Sequence, residues 1–460
     1  GPFEKLDLDL SDGQGNPHLG PHILAGVNGS GKSTVLKTIA WVLDRGDRGF
    51  DDKEWKHLIA GWPQSRALVL GRAPNGGVWG MACAPFTSPE SQDELRQWIT
   101  EQALGPSRCP WPFTFHVMRS GAHPAHVRAS VHAASDGGTT RIPLCLAAAY
   151  RPSLSLKHLA HPDITKSLTN PFENSLAFGE TVRNDAIQAW LVALYSKRAI
   201  ARERSQPTDL YTRSLDRFES ALRTIYGSRI GLDVEIEPAL EPRLRVGERL
   251  LNFSQLPDGL RSTVAWLADF MMRQGLMPIE AGGLETDPGV LLLDEVDVHL
   301  HPRWQRRLLP AMREALPDVQ IIVTSHSPFV ISSCPGSKVH VFGIDESGHA
   351  FLGQSCAAPV GQSVMTTLKG VFGVESRFDI RTERELEEWY QLSRGEATGA
   401  LSMADKRRMD ELTVMLAGRS EELRSIVLKP ASAPKSLESM LKALDRGSKK
   451  KTKMREKKAG

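Results

Sequence analysis

Gly26-Val27-Asn28-Gly29-Ser30-Gly31-Lys32-Ser33-Thr34 decides how the 460-residue chain is read. The stretch fits G-x-x-x-x-G-K-[ST] in register. A short apolar run, His22-Ile23-Leu24-Ala25, precedes it as a buried strand would. Val35 to Leu43 follow with apolar residues at helical spacing. Glycines let successive backbone N–H groups turn toward one anion, and a helix start adds the positive end of its dipole. Lys32 has the reach for outer phosphates, and the Ser33 hydroxyl is a ligand suited to Mg²⁺. Gly26, Asn28, Gly29, Ser30, Gly31, Lys32, Ser33 and Thr34 are therefore expected to bind a nucleoside triphosphate.

The second informative block is Val290-Leu291-Leu292-Leu293-Asp294-Glu295. An apolar run ending in two acids reads as a strand buried on both faces with carboxylates at its carboxyl end. Open parallel sheets bind ligands at that edge. Asp294 is expected to orient Mg²⁺ or its water, and Glu295 to act as general base or orienter of the attacking water. Val319-Gln320-Ile321-Ile322-Val323 is a further buried strand ending in Thr324-Ser325-His326-Ser327-Pro328. It sets His326 where it would sense a terminal phosphate. Between these strands, Pro302 suits the first turn of a helix carrying Trp304, Leu308 and Leu309 inward. His299 and His301 lack further ligands at usable spacing, so a metal pair is not expected there.

Composition narrows the class. Hydrophobic content of 40% and charged content of 24% are ordinary for a globular protein. No apolar run approaches the ~20 residues of a membrane span, and no N-terminal segment reads as a signal peptide. The five cysteines (Cys83, Cys109, Cys145, Cys334, Cys356) form no C-x-x-C pair. That spacing points to a reducing, cytoplasmic setting rather than to disulfides or structural zinc. The net charge of +3 is unevenly placed: residues 449–460 carry seven Lys/Arg and one Glu, hence +6, leaving −3 on the rest. A tail from residue 448 to 460 is expected to be solvated, with nucleic-acid contact as the sharper alternative.

Elsewhere, Phe3, Leu6, Leu8 and Leu10 alternate with charged residues as in a strand with one wet face. Residues 65–250 read as an inserted lobe, interrupted by Pro, Gly and Ser up to about residue 175 and more helical beyond. Asn184–Ala199 and Ser214–Ile225 show i, i+3, i+4 spacing, broken by Pro207, and residues 230–252 alternate like a hairpin pair. No heptad is sustained long enough for a coiled-coil arm. KVHVFGI and HAFLG look like short strands, and from Thr382 to about Leu444 the chain is charged and helical.

The combination of GVNGSGKST, LLLDEVDVHLHPRWQ and IIVTSHSPFVI resembles the ABC-type ATPases of the SMC/RecF-like and overcoming-lysogenisation-defect-like group. Its nearest likeness is to the compact AAA-21 branch found in bacterial anti-phage systems, including Septu- and retron-associated ATPases. GPFEKLDLDL looks like the early strand of that group. These motifs cover residues 1–60 and 250–335. The resemblance implies an α/β fold, a P-loop ABC-type ATPase head with an inserted lobe and a helical C-terminal region. It divides the chain at residues 1–64, 65–250, 251–345, 346–447 and 448–460. It makes Asp294 and Glu295 the Walker B pair, Asp297 the start of the loop crossing a dimer interface, His326 the switch histidine and Gln64 the glutamine-loop residue. The signature segment falls on Leu256-Pro257-Asp258-Gly259-Leu260-Arg261-Ser262, with Asp258, Gly259 and Arg261 facing a second chain's nucleotide.

One departure stands out. The signature serine of the family is here Pro257, which has neither a hydroxyl nor an N–H to offer. Ser254, Arg261 and Ser262 are the candidate substitutes. The sequence also lacks a zinc-hook C-x-x-C and a Toprim-type acidic cluster after residue 335; Asp345 and Glu346 sit in a turn-like context. The expected protein is an ATPase using ATP and Mg²⁺, assembling as a homo-oligomer and controlling a partner effector, a nuclease or toxin, in anti-phage defence. Two alternatives stay open: a low-turnover, ATP-dependent oligomeric scaffold, favoured by Pro257, and a RecF-like DNA-repair ATPase binding duplex DNA.

Overall fold

The computed structural model of the chain describes residues 3–12, 18–43, 67–72, 78–85, 97, 113–119, 126–133, 146–151, 168–179, 182–237, 240–277, 289–374, 378–397 and 401–428. It divides into two compact units, Gly1–Gly373 and Val374–Gly460.

Strands of the first unit are β1 His22–Gly26, β2 Ala67–Arg72, β3 Val78–Pro85, β4 Phe113–Arg119, β5 His126–Ala133, β6 Leu146–Tyr150, β7 Ile230–Glu235, β8 Glu241–Val246, β9 Arg249–Leu251, β10 Gly289–Leu293, β11 Val319–Thr324, β12 Lys338–Ile344 and β13 Ala350–Ala357. Six of them form the central sheet in the order β13-β12-β1-β11-β10-β6, parallel throughout except for β13. The fold is α/β. Successive side chains point to opposite faces, so strands covered on both faces are apolar at most positions rather than at every second one. Ile23, Leu291, Leu293 and Ile321 join the core on one face, with Leu260, Val264, Leu308 and Leu309 from helices Asp258–Gln274 and Pro302–Ala315. Leu24, Leu292 and Ile322 point the other way, onto Val35, Leu36 and Ile39 of helix Lys32–Leu43.

Two further sheets are antiparallel, β2-β3-β5-β4 and β7-β8-β9, and Ile230, Leu232 and Leu244 of the latter join the core cluster that holds Ile23 and Leu291. The second fits the hairpin alternation of residues 230–252. Helices Asn184–Glu203 and Asp209–Tyr226 flank Pro207.

Three sequence expectations differ from the structure. Phe3 to Leu10 do not form a strand: both flanks of β1 are taken, by β11 and β12. The segment instead lies across the sheet. Phe3, Leu6, Leu8 and Leu10 rest half-buried on the Leu24–Phe342 cluster, while Gln320 Nε2 and Lys338 Nζ donate to the carbonyls of Leu10 and Ser11 at 2.8 and 2.6 Å. Alternating burial is real there, but side chains and the single His18 N–H, which donates to the Leu10 carbonyl at 3.3 Å, take the place of a ladder. Next, β6 lies inside residues 65–250 yet pairs with β10 from Leu146↔Gly289 to Tyr150↔Leu293, so that range is not one separate lobe. Finally, β12 and β13 extend the central sheet, and the first unit runs to Gly373 rather than ending near residue 345.

The second unit contains helices Ile380–Ala397, Met403–Arg419 and Glu421–Val427 around Leu416, Ala417, Leu423 and Val427. Trp389 Nε1 donates to Thr413 Oγ1 at 2.7 Å, joining its first two helices. The tail at 448–460 lies outside the described residues, as does the helical reading of 436–445. Among the described residues, no helix is long and apolar enough to cross a membrane.

Where β1 meets β12, His22 Nδ1 and His340 Nε2 share a hydrogen bond of 3.0 Å with both side chains fully buried. One ring donates and the other accepts. Burial, reinforced by the neighbouring rings and Lys338, lowers His22 to about 3 and His340 to about 4. The unfolded chain binds protons that the folded chain refuses, so this stability is whole above the unfolded value and drains as pH falls. Between pH 7.5 and pH 5 the unfolding free energy is expected to fall by about 2 kcal/mol per histidine. Urea titrations at both pH values on wild type and a His22→Leu/His340→Leu variant check this; equal slopes with pH would refute it.

Candidate functional site

The phosphate loop leaves β1 through Gly26, whose φ of +142° suits glycine and where a Cβ would meet the Phe342 carbonyl oxygen at 2.1 Å. The loop closes on itself: Ser30 Oγ donates to the Val27 carbonyl at 2.8 Å. Lys32 is buried, and its Nζ donates to the carbonyls of Gly26 and Val27 at 3.1 and 2.8 Å and to Ser30 Oγ at 3.4 Å. Burial pulls the Lys32 ammonium below its ordinary value, opposed by the carboxylates of Asp294, Glu295 and Asp297. Three negative groups thus hold one cation in a confined, partly dry setting.

Asp294 directly follows β10 and is the joint of the site. Its Oδ1 accepts from Ser33 Oγ at 2.9 Å and from Thr324 Oγ1 at 2.7 Å. Thr324 Oγ1 in turn accepts from the Glu295 N–H at 2.6 Å, and the Thr324 carbonyl from the Val296 N–H at 3.1 Å. Glu295, at φ +48°, is turned out of strand geometry by this pair of bonds. Three neighbouring strands, β1, β11 and β10, therefore deliver Ser33, Thr324 and Asp294 to one point.

Asp297 follows in the same loop. Its Oδ1 accepts from the His326 N–H at 3.3 Å. Gln305 locks the two loops together: Nε2 donates to the carbonyls of Asp297 and Leu300, both at 3.0 Å, and Oε1 accepts from Ser327 Oγ at 2.7 Å. Burial and the nearby Lys32 charge lower the His326 pKa, against the pull of Asp297, Glu295 and Asp294. The imidazole is neutral at pH 7 and able to accept or donate one proton.

The segment from Leu256 to Ser262 lies on the far side of this loop. Pro257 is the N-cap of helix Asp258–Gln274 and makes no side-chain cap. Gly259 packs so closely on the loop that a Cβ would meet the His299 carbonyl at 2.4 Å. Tyr226 Oη fastens this helix start, donating to the Gly259 carbonyl at 3.0 Å and bonding Thr263 Oγ1 at 2.7 Å. Asp258 and Arg261 pair with each other, and Arg261 also reaches the Ser254 carbonyl at 3.4 Å. Neither bonds to a phosphate-loop residue within the chain. Asn28 is exposed on the loop, and Gln64 lies outside the described residues. His301 Nδ1 accepts from the Arg303 N–H at 3.2 Å, capping the helix that starts at Pro302.

Three participants escaped the sequence reading. Thr324 was legible only as the last residue of a strand; a hydroxyl there, one strand from an acid, is the signal. Gln305 has no local signature. Tyr150, ending β6, accepts the Asp294 N–H on its carbonyl at 3.0 Å, and its hydroxyl donates to Asp269 at 2.8 Å. Arg273 Nε bonds the same Asp269 Oδ2 at 2.6 Å, a fully buried pair on helix Asp258–Gln274.

Comparison with known proteins fits this geometry. Residues 161–332 match the family AAA_21, described as "AAA domain, putative AbiEii toxin, Type IV TA system". The match contains Asp294, Glu295 and His326; the phosphate loop lies before it. Septu protein PtuA of Bacillus thuringiensis is 36% identical over 106 residues, 23% of this chain and 27% of that protein. The retron Ec83 probable ATPase of Escherichia coli is 36% identical over 89 residues, 19% of this chain and 16% of that protein. The chain thus spans about a quarter or less of the length of these curated relatives. Among solved structures, the SMC head domain from Thermotoga maritima overlaps 75% of this chain and 91% of its own at 14% identity, with a TM-score of 0.33. Part of the chain is thus similar to the AAA_21 family, and shorter stretches are similar to Septu protein PtuA and to a retron probable ATPase.

A Thr324→Val change keeps the shape of the strand end but removes the hydroxyl from both Asp294 and the Glu295 N–H. Leaving that N–H without its acceptor is expected to cost about 1–3 kcal/mol. Chemical denaturation reads this directly, and a loss within error of zero would contradict the assigned role of Thr324.

Proposed function

We propose that this chain is an ATPase that binds Mg-ATP on Gly26–Thr34 and hydrolyses it with Glu295 as general base. The observation that carries the reading is the 2.9 Å bond between Ser33 and Asp294, which unites two motifs 261 residues apart. A hydroxyl and a carboxylate side by side are hard oxygen donors, the set that suits Mg²⁺. When bound there, the ion would offset the charge of the phosphates. Lys32 would exchange its bonds to the Gly26 and Val27 carbonyls for phosphate oxygens. Glu295 would take a proton from the attacking water, held outward by Thr324, and neutral His326 would hydrogen-bond the terminal phosphate.

The family likeness supports the further step that two copies sandwich the nucleotide, with Leu256–Ser262 of one facing the loop of the other. Contacts to the terminal phosphate would form with ATP and lapse with ADP, making hydrolysis an assembly switch. In the setting of anti-phage defence, suggested by kinship to the Septu and retron ATPases, the output would pass to a partner effector, a nuclease or toxin.

Pro257 favours a second reading, a nucleotide-dependent scaffold with little turnover. Its pyrrolidine ring makes no side-chain cap bond and brings no hydroxyl to a neighbouring γ-phosphate. Glu295→Gln separates the two. For the ATPase, phosphate release should fall by about 10²-fold or more while ATP-bound oligomers accumulate, by light scattering with and without Mg-ATP. Indifference of both assembly and release would favour the scaffold. Lys32→Ala should weaken ATP binding by at least about tenfold under either reading, because a charge-assisted bond is lost; unchanged affinity would contradict both.

A further inference from the structure

Every group aimed at a terminal phosphate lies on one flank of the phosphate loop. Asp294 and Glu295 follow β10, His326 follows β11, and β11 is the neighbour of β1 on that side. The other neighbour of β1 is β12, which ends at Ile344 beside the loop. A triphosphate whose outer phosphates face β10 and β11 therefore leads its nucleoside toward β12.

The surface waiting there is apolar. Ile344 is 42% exposed, although it shares a face of β12 with the core residue Phe342 two positions earlier. Its Cδ1 lies 3.7 Å from the place a Cβ on Gly29 would occupy. Phe3 presses on the next glycine of the loop: a Cβ on Gly31 would meet its ring at 2.5 Å and the Ala350 Cβ at 3.5 Å. Ala350 is the register partner of Ile344 across the hairpin. Phe3 and Ile344 thus form one apolar step alongside the loop, backed by the buried Ala350. The hairpin tip gives it a polar rim, with the Asp345 and Glu346 carboxylates exposed and His349 Nδ1 3.8 Å from Glu4.

We propose that this step is the base subsite of the nucleotide: the flat face of a purine packs on Ile344 and the edge of Phe3. The carboxylates of the rim then accept from an exocyclic amine, which selects adenine over a base carrying an oxo group at that position. The assignment rests on the triphosphate reading above and adds the residues that would hold and select the base. It also gives a reason for a large apolar side chain left uncovered at the mouth of a phosphate loop.

Calorimetric titration of the full chain with Mg-ATP, Mg-ITP and magnesium tripolyphosphate tests it, on wild type and on Ile344→Asn. That change removes apolar surface without adding charge near the phosphates, and at an exposed site it should leave the melting temperature in place. Wild type is expected to bind ATP about tenfold or more tighter than tripolyphosphate and several-fold tighter than ITP, and Ile344→Asn to lose most of the first advantage while holding tripolyphosphate within about twofold. Equal affinity of wild type for ATP and tripolyphosphate, or an Ile344→Asn variant that binds ATP like wild type, overturns the base subsite. Binding of neither ligand overturns the triphosphate reading itself, and the subsite with it.

Discussion

A single carboxylate oxygen, Asp294 Oδ1, accepts hydrogen bonds from Ser33, in the helix that follows the loop of β1, and from Thr324, the last residue of β11, which lies between β1 and β10. That shared acceptor sets the spacing of the loop on β1, the acid at the end of β10 and the strand end of β11. A buried carboxylate that lost both donors would be left in a setting that strongly disfavours charge. The arrangement therefore favours one register of three parallel strands, and with it one geometry for everything at their carboxyl edge.

The backbone of Glu295 shows what that constraint achieves. At φ +48° a residue other than glycine gives up about 1–2 kcal/mol. It is held there because Thr324 supplies acceptors to the N–H groups of both Glu295 and Val296. The carboxylate after the strand is thus set by the neighbouring strand rather than by its own loop. Gln305 does the same for the next turn, tying Asp297 and Leu300 to Ser327 across the gap between two loops. On the far side, Tyr226 and the close fit of Gly259 on His299 couple the helix beginning at Asp258 to that loop. A shift at Asp294 would be felt at Gly259 through packed backbone, with no flexible segment between them.

Legibility in the sequence followed from how local each feature is. The phosphate loop, the strand ending in Asp294-Glu295 and the strand ending before His326 each carry their pattern within ten residues, and the α/β class followed from them. β6 was hidden because Leu146-Ala-Ala-Ala-Tyr150 is short, small-sided and set among residues rich in Pro, Gly and Ser; only its pairing with β10 declares it a core strand. Phe3 to Leu10 misled because alternating burial needs only one apolar face, whereas a strand also needs a free edge, and β1 offers none. Thr324 and Gln305 act across tertiary distance, which no spacing rule encodes.

The most direct test is a crystal structure of the chain with Mg²⁺ and a non-hydrolysable ATP analogue. The account predicts the triphosphate within Gly26–Thr34, with Lys32 Nζ moved from the Gly26 and Val27 carbonyls onto phosphate oxygens and the metal beside Ser33 and Asp294. A nucleotide bound elsewhere, or one bound while Lys32 keeps its bonds to its own loop, would contradict it.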